Sequence, residues 1–352
     1  MLLRNRLQQK GKYLINQFMG MKEMFGEKYP YKPPFENVSF WERDFPFVQK
    51  MPGLSENSKI ITVEGNMCSG KTKFAKELAN CFDLKLFNPI TDRDIYYDNK
   101  VDLRVFDPVL TDRAKIYTLD KFYSNEKRFA DKTLVCRLQL NFFKKKFYQY
   151  IEALKHLIYT GQGVVLVNSA IYDYAYTETL YKNGYITKNF YDYMKRLYKF
   201  TIPEFFYPHL IVNLDIPSKD LFKNIKNGKR DREKNSKFLT ENFLNEIRNG
   251  CQIRNEKYKK YCELIEVDVS KPLVDVELDE IFYDISKMQL DPPEYPKWND
   301  IKFYHWQYLS VHLVEELIIS YDENRLDDLF DQIKAVACPE YLVYGEEVAQ
   351  WT

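Results

Sequence analysis

The stretch Gly65-Asn66-Met67-Cys68-Ser69-Gly70-Lys71-Thr72 has the spacing G-x-x-x-x-G-K-[ST]. Glycines at those positions let the backbone curl until successive N–H groups converge on phosphate oxygens. The lysine adds a positive charge at the β- and γ-phosphates, and the threonine hydroxyl can hold Mg²⁺. Such a loop needs a strand before it and a helix after it. Lys59 to Val63 reads as a short buried strand, and Phe74, Ala75, Leu78 and Ala79 recur at helical spacing. The helix N-terminus then adds its positive dipole end to the anion site. No second chemistry stands out. The cysteines at 68, 81, 136, 251, 262 and 338 form no C-x-x-C pair, and the histidines at 156, 209, 305 and 312 have no metal-ligand spacing. Cys68 lies at a loop position where the backbone, not the side chain, meets phosphate, so it is expected to be inert.

The elements that must position this loop alternate between strand and helix, which predicts an α/β fold with a parallel sheet flanked by helices. Phe143, Phe147, Ile151, Leu154 and Ile158 mark the buried face of a long helix within 140–158, stopped by Gly161-Gln162-Gly163. Val164-Val165-Leu166 follows as a strand, helical pattern fills about 172–201, and Leu210 to Asp215 and Leu264 to Val267 complete the strands. The domain is expected over 59–288. Residues 1–58 form an N-terminal arm and 289–352 a C-terminal extension, with helices expected over Tyr304–Ser320 and Leu326–Val336.

The arm begins with Arg4, Arg6, Lys10 and Lys12 and no acid before residue 22, with Leu3, Leu7, Leu14 and Phe18 on one helical face. That is the pattern of a mitochondrial import signal, and equally of an ordinary basic surface helix. Prolines among Tyr29, Tyr31, Phe35, Phe40 and Trp41 suit an extended arm lying on another surface. Across 352 residues, 52 basic and 51 acidic side chains give a formal charge of +1, so global charge gives no case for nucleic-acid binding. No apolar run approaches the roughly 20 residues that span a bilayer. Tyr and Phe are abundant, at 28 and 25, which serves core packing and partner contacts alike.

Val63-Glu64-Gly65-Asn66 followed by Gly70-Lys71-Thr72 resembles the opening of the deoxyribonucleoside kinases. The similarity runs over roughly residues 59–285. Leu138-Gln139 resembles the family's base-reading glutamine, Pro208 to Pro217 its P-x-L-x-x-x-L-D-x-P strand, and Lys226 to Glu233 its arginine-rich lid. The resemblance implies a purine nucleotide with Mg²⁺ as cofactor, bound by Gly65 to Thr72, with Gln139, Arg230 and Arg232 as further contacts and Thr72 as the metal ligand. The departures fall on the catalytic positions. Asn88-Pro89 stands where the family has Glu-Pro, and asparagine cannot take a proton near neutral pH. Val167-Asn168-Ser169 stands where it has an acid, an arginine and a serine, and Gly228 replaces a lid arginine. Asp92, Asp94 and Asp98 are candidate substitutes for the base, and Asp173 for the metal ligand, although the ordinary reading of each is a solvated carboxylate.

A narrower similarity lies outside the kinase motifs. Thr118 to Tyr123, Thr160 to Leu166 and Phe303-Tyr304-His305 resemble segments of the kinase-like accessory subunits of mitochondrial NADH:ubiquinone oxidoreductase, respiratory complex I. This implies an inactive kinase fold on the matrix side of the inner membrane, with other subunits of complex I as partners and no nucleic acid. An active mitochondrial deoxynucleoside kinase and a nucleotide-sensing regulatory subunit are the alternatives.

Overall fold

The computed structural model describes residues 58–98, 101–111, 115–124, 132–202, 207–228, 230–288 and 290. Five parallel strands form the central sheet in the order β2-β5-β1-β6-β7. They are β1 (Ile60–Gly65), β2 (Lys85–Phe87), β5 (Val164–Val167), β6 (Leu210–Asp215) and β7 (Glu263–Asp268). A short antiparallel hairpin, β3 (Tyr97–Asp98) with β4 (Val101–Asp102), and a 3₁₀ segment (Leu103–Val109) stand apart from the sheet. The helices are α1 (Lys71–Phe82), α2 (Asp92–Tyr96), α3 (Leu119–Ser124), α4 (Lys132–Thr160), α5 (Asp173–Lys182), α6 (Lys188–Thr201), α7 (Ser218–Asn227), α8 (Asp231–Lys234), α9 (Glu241–Tyr258) and α10 (Asp275–Lys287).

Strands covered on both faces read as continuous apolar runs rather than alternating ones. Every residue of β1 and β5 is accordingly buried. Ile61, Val63, Val165, Val167, Val212 and Leu214 pack under Phe74 and Leu78 of α1 and Phe282 of α10. Ile60, Val164, Leu166 and Ile211 meet α4, α5, α6 and α9 on the other face. Along β1 the same alternation sends Thr62 and Glu64 to that second face, where both are fully buried.

The long helix α4 is 29 residues, longer at both ends than its apolar pattern. Gly161, at φ +70°, ends it, its N–H donating to the Leu157 carbonyl at 2.8 Å. The helical pattern over 172–201 resolves into two helices. Gly184 at φ +74° breaks the chain, and the Thr187 hydroxyl caps α6 by accepting from Phe190 N at 3.2 Å.

Ser58 is already tied to the domain, its hydroxyl donating to the Gly161 carbonyl, and Leu290 packs against the α10 side of the core. No described helix is long and apolar enough to cross a membrane. The rest of the arm and of the C-terminal extension, with their expected helices, lies outside the described residues.

Candidate nucleotide site

The strand order places β1 between β5 and β6, and the crossovers from β1 and from β5 leave in opposite directions. The crevice at the carboxyl ends of these strands is where open α/β sheets bind ligands. The Gly65–Thr72 loop leaves β1 at that point. Gly65 holds φ +135°, and a Cβ there would lie 2.4 Å from the Leu214 carbonyl oxygen of β6, so only glycine fits. Asn66 fastens the first turn, its Nδ2 donating to Leu244 O at 2.7 Å while its Oδ1 accepts from Met67 N at 2.8 Å. Cys68 at φ 58° and Gly70 at φ 86° complete the curl, and α1 starts on Gly70, whose carbonyl accepts from Lys73 N and Phe74 N.

Lys71 turns its ammonium onto the carbonyls of Gly65, at 3.1 Å, and Asn66. Burial pushes it down to about 8, against the pull of Glu64. Glu64 lies beneath the loop. Its Oε1 accepts from Ser169 N at 3.0 Å, while Oε2 is buried without a partner. Burial raises its carboxyl to about 7, opposed first by the hydrogen bonds from Ser169 and then by Lys146 and Lys71.

A cavity of about 1000 Å³ opens in front of the loop. Met67 to Lys73 line one end, Pro89 to Thr91 and Val167-Asn168 the wall, and Arg230, Arg232 and Glu233 the lid. Asp173 also lines the cavity, buried among donors. It accepts from Lys146 Nζ, from Gln139 Nε2 at 2.6 Å and from Tyr198 OH at 3.0 Å. Gln139 also donates to Thr177 at 3.0 Å.

The loop residues, Gln139, Arg230 and Arg232 thus share one cavity, as do Val167 and Asn168. Asn88 is not among the lining residues, although Pro89 is; its carbonyl accepts from Gln149 Nε2 at 2.7 Å. Asp92 is a buried carboxylate: it accepts from Leu119 N at 3.3 Å and lies 3.8 Å from Arg232. Asp94 closes a capping box on Thr91. Asp173 is paired with Lys146 rather than open to a metal. Cys68 is not a bystander: its thiol donates to Glu233 Oε2 at 2.9 Å.

Lys146 and Glu233 are site residues that the sequence reading missed. Lys146 follows Gln139 by seven positions, two helical turns, so the shared face was readable. Glu233 depends on how the lid folds back, which spacing does not encode.

The arrangement suits a polyphosphate. It combines a curled loop at a helix N-terminus, an ammonium and the buried Ser69 hydroxyl, which has no partner of its own. It suits a metal less well. Among the described residues no cluster of His, Cys, Asp or Glu could hold one. A magnesium ion would take the Thr72 hydroxyl, the phosphates and water.

The loop, sheet and lid define an α/β fold of the nucleoside-kinase kind, and a family model described as Deoxynucleoside kinase matches residues 61–287. The chain belongs to the deoxynucleoside kinase family. Among curated proteins it is 35% identical over 199 residues to "NADH dehydrogenase [ubiquinone] 1 alpha subcomplex subunit 10, mitochondrial" of Bos taurus, covering 56% of this chain and 55% of that protein. To the Mus musculus protein of the same name it is 30% identical over 266 residues, covering 75% of this chain and 71% of that protein. It is 26% identical to a deoxyguanosine kinase of Dictyostelium discoideum over 50% of this chain and 52% of that protein.

Proposed function

We propose that this chain is a non-catalytic accessory subunit of mitochondrial respiratory complex I, peripheral on the matrix side of the inner membrane. Its partners are the other subunits of that complex. It is built on a deoxynucleoside-kinase fold whose phosphate loop retains a nucleotide, in this reading a purine nucleotide with Mg²⁺. The observation that carries the proposal is Val167-Asn168 on the cavity wall beside a complete loop. The names of the cattle and mouse relatives support the assembly.

Phosphoryl transfer depends on positioning and on neutralising charge on the transferring group. The Val167 side chain offers no oxygen for a metal. Asn168 is held at φ 62°, its N–H on the Val63 carbonyl and its Oδ1 buried without a partner, and it carries no charge. Asn88 cannot take the proton of a nucleoside hydroxyl, Asp92 and Asp94 are engaged elsewhere, Asp98 sits on β3 in the hairpin apart from the sheet, and Asp173, in the cavity, is paired with Lys146. What is left can bind phosphates and orient them.

The test uses the full chain with MgATP and each deoxynucleoside in turn. No nucleoside-dependent ATP consumption is expected, while calorimetry with ATP, ADP and dGTP detects binding. Bound ligand stabilises the fold by about 2.7 kcal/mol when it exceeds its dissociation constant by about a hundredfold. The resulting thermal shift disappears in Lys71→Ala, which removes the charge on the phosphates. Turnover would overturn the non-catalytic role, and absence of binding the retained nucleotide. The complete loop and the Dictyostelium relative favour the second reading, an active deoxynucleoside kinase, which the same assay decides.

A further inference from the structure

One carboxylate ties the lid to the phosphate loop. Glu233 belongs to α8, in the lid, and is buried. Its Oε2 accepts from the Cys68 thiol at 2.9 Å and its Oε1 from Arg230 Nη1 at 3.1 Å. Cys68 reaches it from the middle of the loop, where the backbone takes the left-handed conformation. Arg232 and Lys71 are engaged as well. Arg232 lies 3.4 Å from Asp120 and 3.8 Å from Asp92, and Lys71 rests on the loop's own carbonyls.

From this geometry we infer that Glu233 is an internal competitor of the phosphate site, occupying the guanidinium of Arg230 on the cavity lining and latching the lid to the loop through Cys68. The latch is released when the polyphosphate of a nucleotide takes over Arg230. This deepens, and rests on, the reading of the loop as a nucleotide site. A polyphosphate that reaches Lys71 meets the negative charge of Glu233, which lines the same cavity and touches the loop at Cys68. The two like charges exclude each other unless the lid swings out. Cys68 is suited to its part. Cys68 is exposed as a residue, but partial loss of solvent at its thiol, then its contact with Glu233, raises the thiol above the ordinary range, so it stays a protonated donor at neutral pH.

The test combines two readouts on the full chain, with Glu233→Gln as the main variant and Cys68→Ala as the second. Alkylation of Cys68 at about pH 8, followed by mass spectrometry of its peptide, reports the latch without any ligand. Removing the carboxylate charge is expected to raise the rate roughly tenfold, the effect of a thiol pKa about one unit lower. Calorimetry with pyrophosphate reports the competition, and both variants are expected to bind it several-fold more tightly than the wild type. Unchanged alkylation overturns the latch. Equal or weaker pyrophosphate binding in the variants, with wild-type binding intact, overturns the competition alone. Pyrophosphate binding to none of the three proteins overturns the nucleotide reading and the competition with it.

Discussion

Glu64 is a carboxylate on a central strand, with one oxygen on the Ser169 N–H and the other enclosed. Its folded pKa, about 7, stands above the ordinary 4.5. The native state therefore binds a proton that the unfolded chain has released. The associated stability is complete below about pH 4.5 and is lost as the pH rises through about 7, a swing of about 3 kcal/mol. Glu64→Gln keeps an acceptor for Ser169 and cannot ionise. Urea unfolding should show its stability relative to wild type improving by about 3 kcal/mol between roughly pH 4.5 and pH 8. A parallel pH dependence in the two proteins would contradict this. At this scale the sequence was partly legible. The loop follows from its spacing, and Asn88, Val167 and Asn168 stand out against the family pattern. The load on Glu64 does not, because it comes from the neighbouring strands that enclose it.

Elements hold the loop by close contact, and a buried ion pair ties together two helices behind the cavity. β6 passes so near Gly65 that an added methyl group would meet the Leu214 carbonyl. Gly65→Ala adds backbone strain to that clash and should cost at least about 2 kcal/mol, read as a lower urea midpoint. A neutral effect would mean that the approach of β6 to β1 is looser than described. Between α4 and α5, Lys146 and Asp173 are both almost fully enclosed. Asp173→Asn leaves the ammonium without its charge partner and should destabilise by about 3–5 kcal/mol, with Lys146→Met/Asp173→Asn recovering part of the loss. Purely additive losses would show that the two residues act independently. The main strands and α1 were readable because buried parallel strands are short apolar runs and α1 repeats its apolar residues at helical spacing. The hairpin at Tyr97–Asp102, the Leu103–Val109 turn and the four-residue α8 carry no periodicity, and their form depends on the contacts they make.

For the whole molecule, a family fold with a complete phosphate loop is combined with Asn88, Val167 and Asn168 where the resemblance places the family's base, acid and arginine. That combination favours a protein kept for what it binds and supports over one kept for turnover. The fold class was legible from the strand–helix alternation. The proposed assembly rests only on similarity, in segments such as Thr118 to Tyr123 and Thr160 to Leu166. Thr118 and Thr160 explain their own presence structurally: the Thr118 hydroxyl accepts from Lys121 N at 3.3 Å, and the Thr160 hydroxyl donates to His156 O at 2.6 Å and accepts from Gln162 N at 3.1 Å. Neither contact points to a partner, so partner identity has to come from the cell. The most direct test is the native size of the endogenous protein in gently solubilised mitochondria, by native gel with mass spectrometry of the co-migrating proteins. The account predicts migration with the subunits of NADH dehydrogenase. Migration as a free monomer or dimer would contradict it.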